Sequence, residues 1–302
     1  MDFSNWKPRA HFMFELMTET RGKTNLEKYN EAKAAYIQKL NEYNELEAVG
    51  KGESKAAEKI AGQMLSLEFK MNELKEIKND VTLSSTCMRR LCSEYTKFTT
   101  GRERIINSKE IEKGLFLEED AITEYSLHTK EFLVKNKQRR ENEYVSGEID
   151  IEEEERVTDT KVSWDIYSFD ALLITGLKTA YEWQGRSYCW LWEKDSARIV
   201  HTLLNTPEHL IQNMERKLMY DMFGSEQRKA VASEEELDIY NDACKKIRFN
   251  HTYDDLPRSR KIRMFDVARD LELEEKMKQR IEQCRKILNN FSKLDYYEQQ
   301  KT

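Results

Sequence analysis

The sequence predicts an α/β (α+β) fold, with a central mixed β-sheet flanked by helices and an antiparallel helical hairpin inserted near the start. Three observations predict it. Residues 147–151, 156–162 and 197–204 read as strands, short runs in which side chains alternate between two faces. Helical periodicity fills much of the remainder, and 10 glycines and 3 prolines in 302 residues leave few interruptions. Finally, two long amphipathic runs meet at Gly50 and Gly52.

Four segments follow in order. Residues 1–24 are expected to open the core with a short apolar stretch carrying Arg9 and His11. Residues 25–80 form the hairpin: Leu26, Tyr29, Ala32, Tyr36, Leu40 and Tyr43, then Ile60, Met64, Leu67, Met71 and Leu74, recur at steps of three or four. The hairpin is either a structural arm or a contact for an oligomer or for DNA. Residues 81–295 carry the core, and 296–302 a flexible tail. Within the core, 84–113 is helical with several outward cations, and 114–121 is a further helix. Residues 207–250 are helical, with Thr206 as the cap before Pro207. An edge strand over 258–267 and a long charged helix from Leu271 to Leu288 close the core.

The chemistry concentrates in 144–188. One strand ends on Asp150, and the next carries Asp159 and Lys161 on the same side, with Thr160 facing away. A hairpin turning through the acidic run 152–155 brings Asp150 near Asp159. Two carboxylates and an ammonium suit a hard cation such as Mg²⁺, which takes oxygen ligands and completes its shell with water and substrate phosphate. The ammonium can orient or activate the attacking water and offset phosphate charge. Downstream, Tyr181, Gln184 and Tyr188 share one helical face.

Gly147 to Asp150, Asp159 to Lys161 and Gln184 to Tyr188 form a G-x-x-D, (D/E)-x-K, Q-x-x-x-Y order. Gly114, Glu118 and Ala121 form G-x-x-x-E-x-x-A upstream. This order resembles the PD-(D/E)XK nuclease superfamily in its RecB-like and phage (YqaJ-type, lambda exonuclease-like) branch. Here the acid is Asp159 where Glu is commoner, which keeps the charge on a shorter arm. The resemblance implies a restriction-endonuclease-like core and metal-dependent hydrolysis of linear duplex DNA, in phage or prophage recombination. Asp150, Asp159, the Thr160 backbone carbonyl and Glu118 would hold Mg²⁺, with Mn²⁺ able to substitute. Lys161 would position or activate water, and Gln184 and Tyr188 would brace the site. A single-strand annealing protein and a ring-shaped homo-oligomer are implied partners. The alternatives are a non-catalytic DNA-binding scaffold and a structure-specific endonuclease on the same fold.

DNA-backbone contacts are expected from the basic cluster Arg258, Arg260, Lys261 and Arg263, from Arg186, and from Arg9, for which a plain surface charge is an equal reading. A net charge of −6 argues against a general polyanion binder, but the local field governs a site. Cysteines 87, 92, 189, 244 and 284 have no C-x-x-C spacing and are expected to be buried apolar groups, which excludes a zinc or iron–sulfur signature. No apolar run approaches the about eighteen residues of a membrane span, and no signal opens the sequence, so a soluble cytoplasmic protein is expected, in the host cytoplasm if phage-encoded.

Overall fold

In the computed structural model, residues 2–78, 82–105 and 108–294 are described. The elements run α1 (Met13–Met17), α2 (Asn25–Ala48), α3 (Lys55–Ile77), α4 (Ser85–Thr100), α5 (Lys109–Phe116), α6 (Glu118–Thr129), β1 (Arg139–Glu141), β2 (Ser146–Glu148), β3 (Ile151–Glu152), β4 (Arg156–Val162), α7 (Ile166–Thr175), α8 (Thr179–Trp192), β5 (Ser196–Thr202), α9 (Glu208–Phe223), α10 (Glu226–Ala230), α11 (Glu234–His251), β6 (Ile262–Ala268) and α12 (Leu271–Leu294). Two compact units result, residues 16–95 and residues 1–15 with 96–302. The expected tail at 296–302 lies outside the described residues.

In the smaller unit, α2 and α3 pack on each other across a short turn. Gly50 takes φ +70° there, a region that costs glycine little. A capping box at Thr24 and Glu27 starts α2. The open end is tied where Asn25 Nδ2 donates to the Ile77 carbonyl at 3.2 Å.

The larger unit is built on a mixed sheet of order β3-β4-β5-β6, in which β4 and β5 run parallel and both outer pairings are antiparallel. Helix α6 covers one face, where Ile122 and Tyr125 pack with Ile151, Val200 and Ile262. Helix α8 covers the other. A separate two-stranded ladder joins β1 and β2. Burying both faces explains the apolar core of β5, where Ile199 and Val200 are fully enclosed.

Several expectations change. The strand expected over 147–151 is broken at Ile149–Asp150 into β2 and β3, which belong to different sheets. The helix expected over 114–121 breaks at Leu117 into α5 and α6. Residues Arg258–Arg260 form a 3₁₀ turn, and the edge strand begins at Ile262. Thr206 does not cap α9; its hydroxyl instead meets His251 Nδ1 at 3.0 Å. Of the cysteines, Cys87, Cys189 and Cys284 are buried as expected, Cys244 is half-buried, and Cys92 is exposed.

Two close approaches hold the larger unit together. The guanidinium of Arg285 on α12, 5% exposed, donates to the carbonyls of Trp6 at 2.9 Å and Glu143 at 2.6 Å. Gly147 lies so near α8 that a Cβ there would stand 2.9 Å from Tyr188 Cε1, 3.0 Å from Leu191 Cδ1 and 3.2 Å from Ala10 Cβ. Gly147→Ala therefore overpacks a fixed wall and is expected to cost about 1–3 kcal/mol, read as a lowered urea midpoint; an unchanged midpoint would show that the wall yields.

Candidate active site

The sequence folds the two strands so that a backbone mismatch creates the site. Strand β3 pairs with β4 only at Ile151↔Thr158 and Glu152↔Val157, and the chain then turns away at Asp150. Beyond that point, among the described residues, β4 has no strand partner on this edge to accept its amides. The Asp150 carboxylate replaces the missing carbonyl, with Oδ2 accepting from the Thr160 N–H at 2.5 Å and from its hydroxyl at 2.7 Å. Because a strand residue turns its N–H and C=O to the same edge, the Thr160 carbonyl faces this side too.

One residue earlier and one later, Asp159 and Lys161 project to the opposite face, under α8. Lys161 Nζ stands 2.6 Å from Asp159 Oδ2 in an ion pair, the one contact to that buried oxygen among the described residues. Gln184 Nε2 reaches Asp159 Oδ1 at 3.4 Å and the Tyr188 hydroxyl at 2.7 Å. The i, i+4 spacing on α8 thus makes a brace behind the carboxylate. Tyr188, 4% exposed, belongs to this buried support and does not line the cleft.

Asp150, Asp159, Thr160 and Lys161 line a cleft of about 710 Å³ that also takes in Glu118, Lys135, Trp164, Lys178, Tyr181 and His201. Glu118, at the start of α6, lines the cleft, whereas the Glu119 side chain is 85% exposed. The Glu118 carboxylate is held at 2.7 Å by Lys135, so it stands beside the two aspartates without joining them.

Electrostatics follow from burial and proximity. Burial first, then the neighbouring Asp159 charge, raise Asp150 from 3.8 to about 7, against the Thr160 hydrogen bonds and Lys161. Burial works against the Lys161 ammonium, but Asp159, with Asp150 behind it, outweighs burial and raises its pKa. Lys161 is therefore a cation at neutral pH. Lys113 on α5 is fully buried, donates to the Trp164 carbonyl at 2.8 Å, and is lowered by burial to about 7.

The donor set suits a hard cation. Among the described residues no three His, Cys, Asp or Glu side chains gather in a group that could hold a metal ion by themselves. Two neighbouring carboxylates, Asp159 ion-paired to Lys161 and Asp150 pushed toward its neutral form by burial and then by the Asp159 charge, present oxygen donors of the kind Mg²⁺ takes together with water and phosphate.

The structure thus brings together Asp150, Asp159, Thr160, Lys161, Gln184 and, at the rim, Glu118. It does not bring the distal arginines to the cleft. Arg258 pairs with Glu124 at 2.9 Å, while Arg260 and Arg263 share Asp170 at 2.8 and 2.6 Å. Arg186 pairs with Glu182 at 3.6 Å on its own helix. Arg9 is exposed, in a bridge to Ser146. Neither of these two lines the cleft, nor does Lys261. Sequence reasoning missed Lys135, Lys178, Tyr181 and His201 as cleft residues. Only Tyr181 left a signal, on the face shared with Gln184.

Fold and cluster together define an α/β protein with a carboxylate–lysine cluster beside its mixed sheet. Among solved structures, the chain is similar to a phage related exonuclease from Haemophilus somnus 129PT, at 23% identity over 95% of both chains with a TM-score of 0.58. An alkaline exonuclease, LHK-Exo from Laribacter hongkongensis, aligns at 12% identity over 73% of this chain and 87% of its own, with a TM-score of 0.48. Its complex with dAMP aligns at 12% identity over 72% and 86%, with the same TM-score of 0.48. No protein-family model and no curated protein matches the chain. No helix among the described residues is long and apolar enough to cross a membrane.

Proposed function

We propose that the protein is a metal-dependent exonuclease that hydrolyses phosphodiester bonds of linear duplex DNA. The observation that carries the reading is the meeting of Asp150, Asp159 and Lys161 at one open sheet edge, inside a cleft large enough for a nucleotide. The fold shared with a phage related exonuclease supports it and suggests phage DNA processing, where a single-strand annealing protein and a ring-shaped oligomer are the partners to test.

Asp150, Asp159 and the Thr160 carbonyl would hold Mg²⁺, or Mn²⁺ in its place, with Glu118 at the rim. A bound divalent ion supplies Lewis-acid polarisation of the phosphate and a water of lowered pKa. Lys161 contributes charge and hydrogen bonds to the phosphate oxygens, since its raised pKa keeps the proton in place. Gln184 and Tyr188 fix the Asp159 carboxylate from behind. Lys178 and Lys135 add positive charge to a cleft wall that also carries acidic side chains, Lys135 being paired with Glu118.

Digestion of linear against closed circular duplex DNA with Mg²⁺, Mn²⁺ or EDTA tests this. Loss of linear DNA alone, abolished by EDTA, is the expected result. Cutting of circles would make the protein an endonuclease, and binding without cleavage a scaffold.

A further inference from the structure

His201 is 6% exposed, lines the cleft, and has a buried Nε2 with no hydrogen-bond partner among the described residues. Such a nitrogen is costly unless something reaches it in another state of the site. Its neighbours across the sheet are Lys161 on β4 and Arg263 on β6, directly in register. Arg263 is committed elsewhere, donating to the Phe169 carbonyl at 3.1 Å and to Asp170 Oδ1 at 2.6 Å. Lys161 is held by its ion pair with Asp159 at 2.6 Å, and a quarter of its side chain is exposed, so it can turn once that oxygen is taken up. Tyr181 lies against both, its ring centroid 5.3 Å from Lys161 Nζ and 5.5 Å from the imidazole. Phe265 closes the imidazole from the other side at 6.0 Å.

We infer that His201 is a positioning residue that gives the Lys161 ammonium a second station: when the Asp159 oxygen is taken up, the ammonium turns across the sheet and donates to His201 Nε2. The imidazole accepts in the tautomer that carries its proton on Nδ1. Burial, with Lys161 and Lys178 nearby, lowers His201 to about 4 and keeps that lone pair free. The Tyr181 ring lies against both stations, so the cation keeps an aromatic face as it moves. In cleavage this would hold Lys161 beside the phosphate and off the metal-binding carboxylate, a consequence that rests on the proposed function; the turn itself does not.

The turn is tested on the full chain without DNA, by ¹⁵N spectra of its 5 histidines, with His201 assigned by loss of its signal in His201→Gln. Asp159→Asn weakens the hold on the ammonium, and the His201 Nε2 resonance is expected to move upfield. In the Asp159→Asn, Lys161→Met double variant it should return to the wild-type position. A resonance unmoved in the single variant, or moved equally in both, overturns the inference. Should Asp159→Asn fail to fold, Mg²⁺ added to the wild type is expected to move the same resonance, and to leave it unmoved in Lys161→Met. Where the wild type cleaves linear DNA, His201→Phe is expected to lower kcat about tenfold with KM unchanged, while His201→Gln, whose amide can still accept, keeps it. Equal rates in both variants would make His201 a packing residue only. Failure of the wild type to cleave would remove the proposed function and leave the resonance result standing.

Discussion

Replacing Lys161 by alanine is expected to lower the single-turnover rate of linear DNA cleavage by about 10²- to 10³-fold, the scale on which removal of one aimed charge acts in an active site. The fold should survive, because the side chain reaches into the cleft and is partly exposed. Its loss also leaves Asp159 beside Asp150 without the intervening cation, so tighter divalent binding should accompany the loss of rate. Circular dichroism and calorimetric Mg²⁺ titration separate these effects. If the alanine variant kept more than about a tenth of the wild-type rate, the group offsetting phosphate charge would have to be another cation of the cleft, with Lys178 the first to examine.

Replacing Asp150 by asparagine is expected to remove a pH dependence from stability. In the metal-free protein the unfolded chain releases this proton near 3.8, while the folded chain keeps it to about 7. Between those values the native state binds more protons, so stability falls as pH rises. At about 1.4 kcal/mol per pH unit the ceiling is about 4 kcal/mol, and relaxation of water into the open cleft makes it smaller. Asparagine can still accept from the Thr160 N–H and hydroxyl without the charge. Urea unfolding of both proteins at about pH 4.5 and pH 7.5 isolates the effect as a difference of differences. A wild-type slope matched by the variant would place the raised carboxyl elsewhere. Mg²⁺ should restore wild-type stability at the higher pH, and its apparent affinity should rise about tenfold per pH unit below 7, because binding displaces one proton.

Much of this site was legible because its parts are periodic. The alternation of 156–162 placed Asp159 and Lys161 on one face and set β4 at the bounds observed. The spacing of Gln184 and Tyr188 needed only a helix, which α8 supplies. What the sequence concealed depends on contacts between distant segments. Nothing in 147–151 reveals that the chain leaves the sheet at Asp150, since that break is made by the Thr160 amide ten residues on. The interruption at Leu117 separates two helices whose composition is continuous. The basic cluster at 258–263 reads as a nucleic-acid patch, and its pairing with Glu124 and Asp170 is set by segments far away in the chain. His201 is an ordinary strand residue by pattern, and only the register of β5 against β4 sets it next to Lys161.

The grip of Arg285 on the carbonyls of Trp6 and Glu143 bears on how the polypeptide emerges from the ribosome. The α2–α3 hairpin closes through local contacts and can form while synthesis continues. The sheet-bearing unit must wait for α12 to bind the opening segment, nearly the whole chain later. Such long closure slows folding and leaves half-finished surfaces exposed. A translational stall before α12 should therefore yield a nascent chain with a formed, protease-resistant arm and an unfinished, digestible remainder.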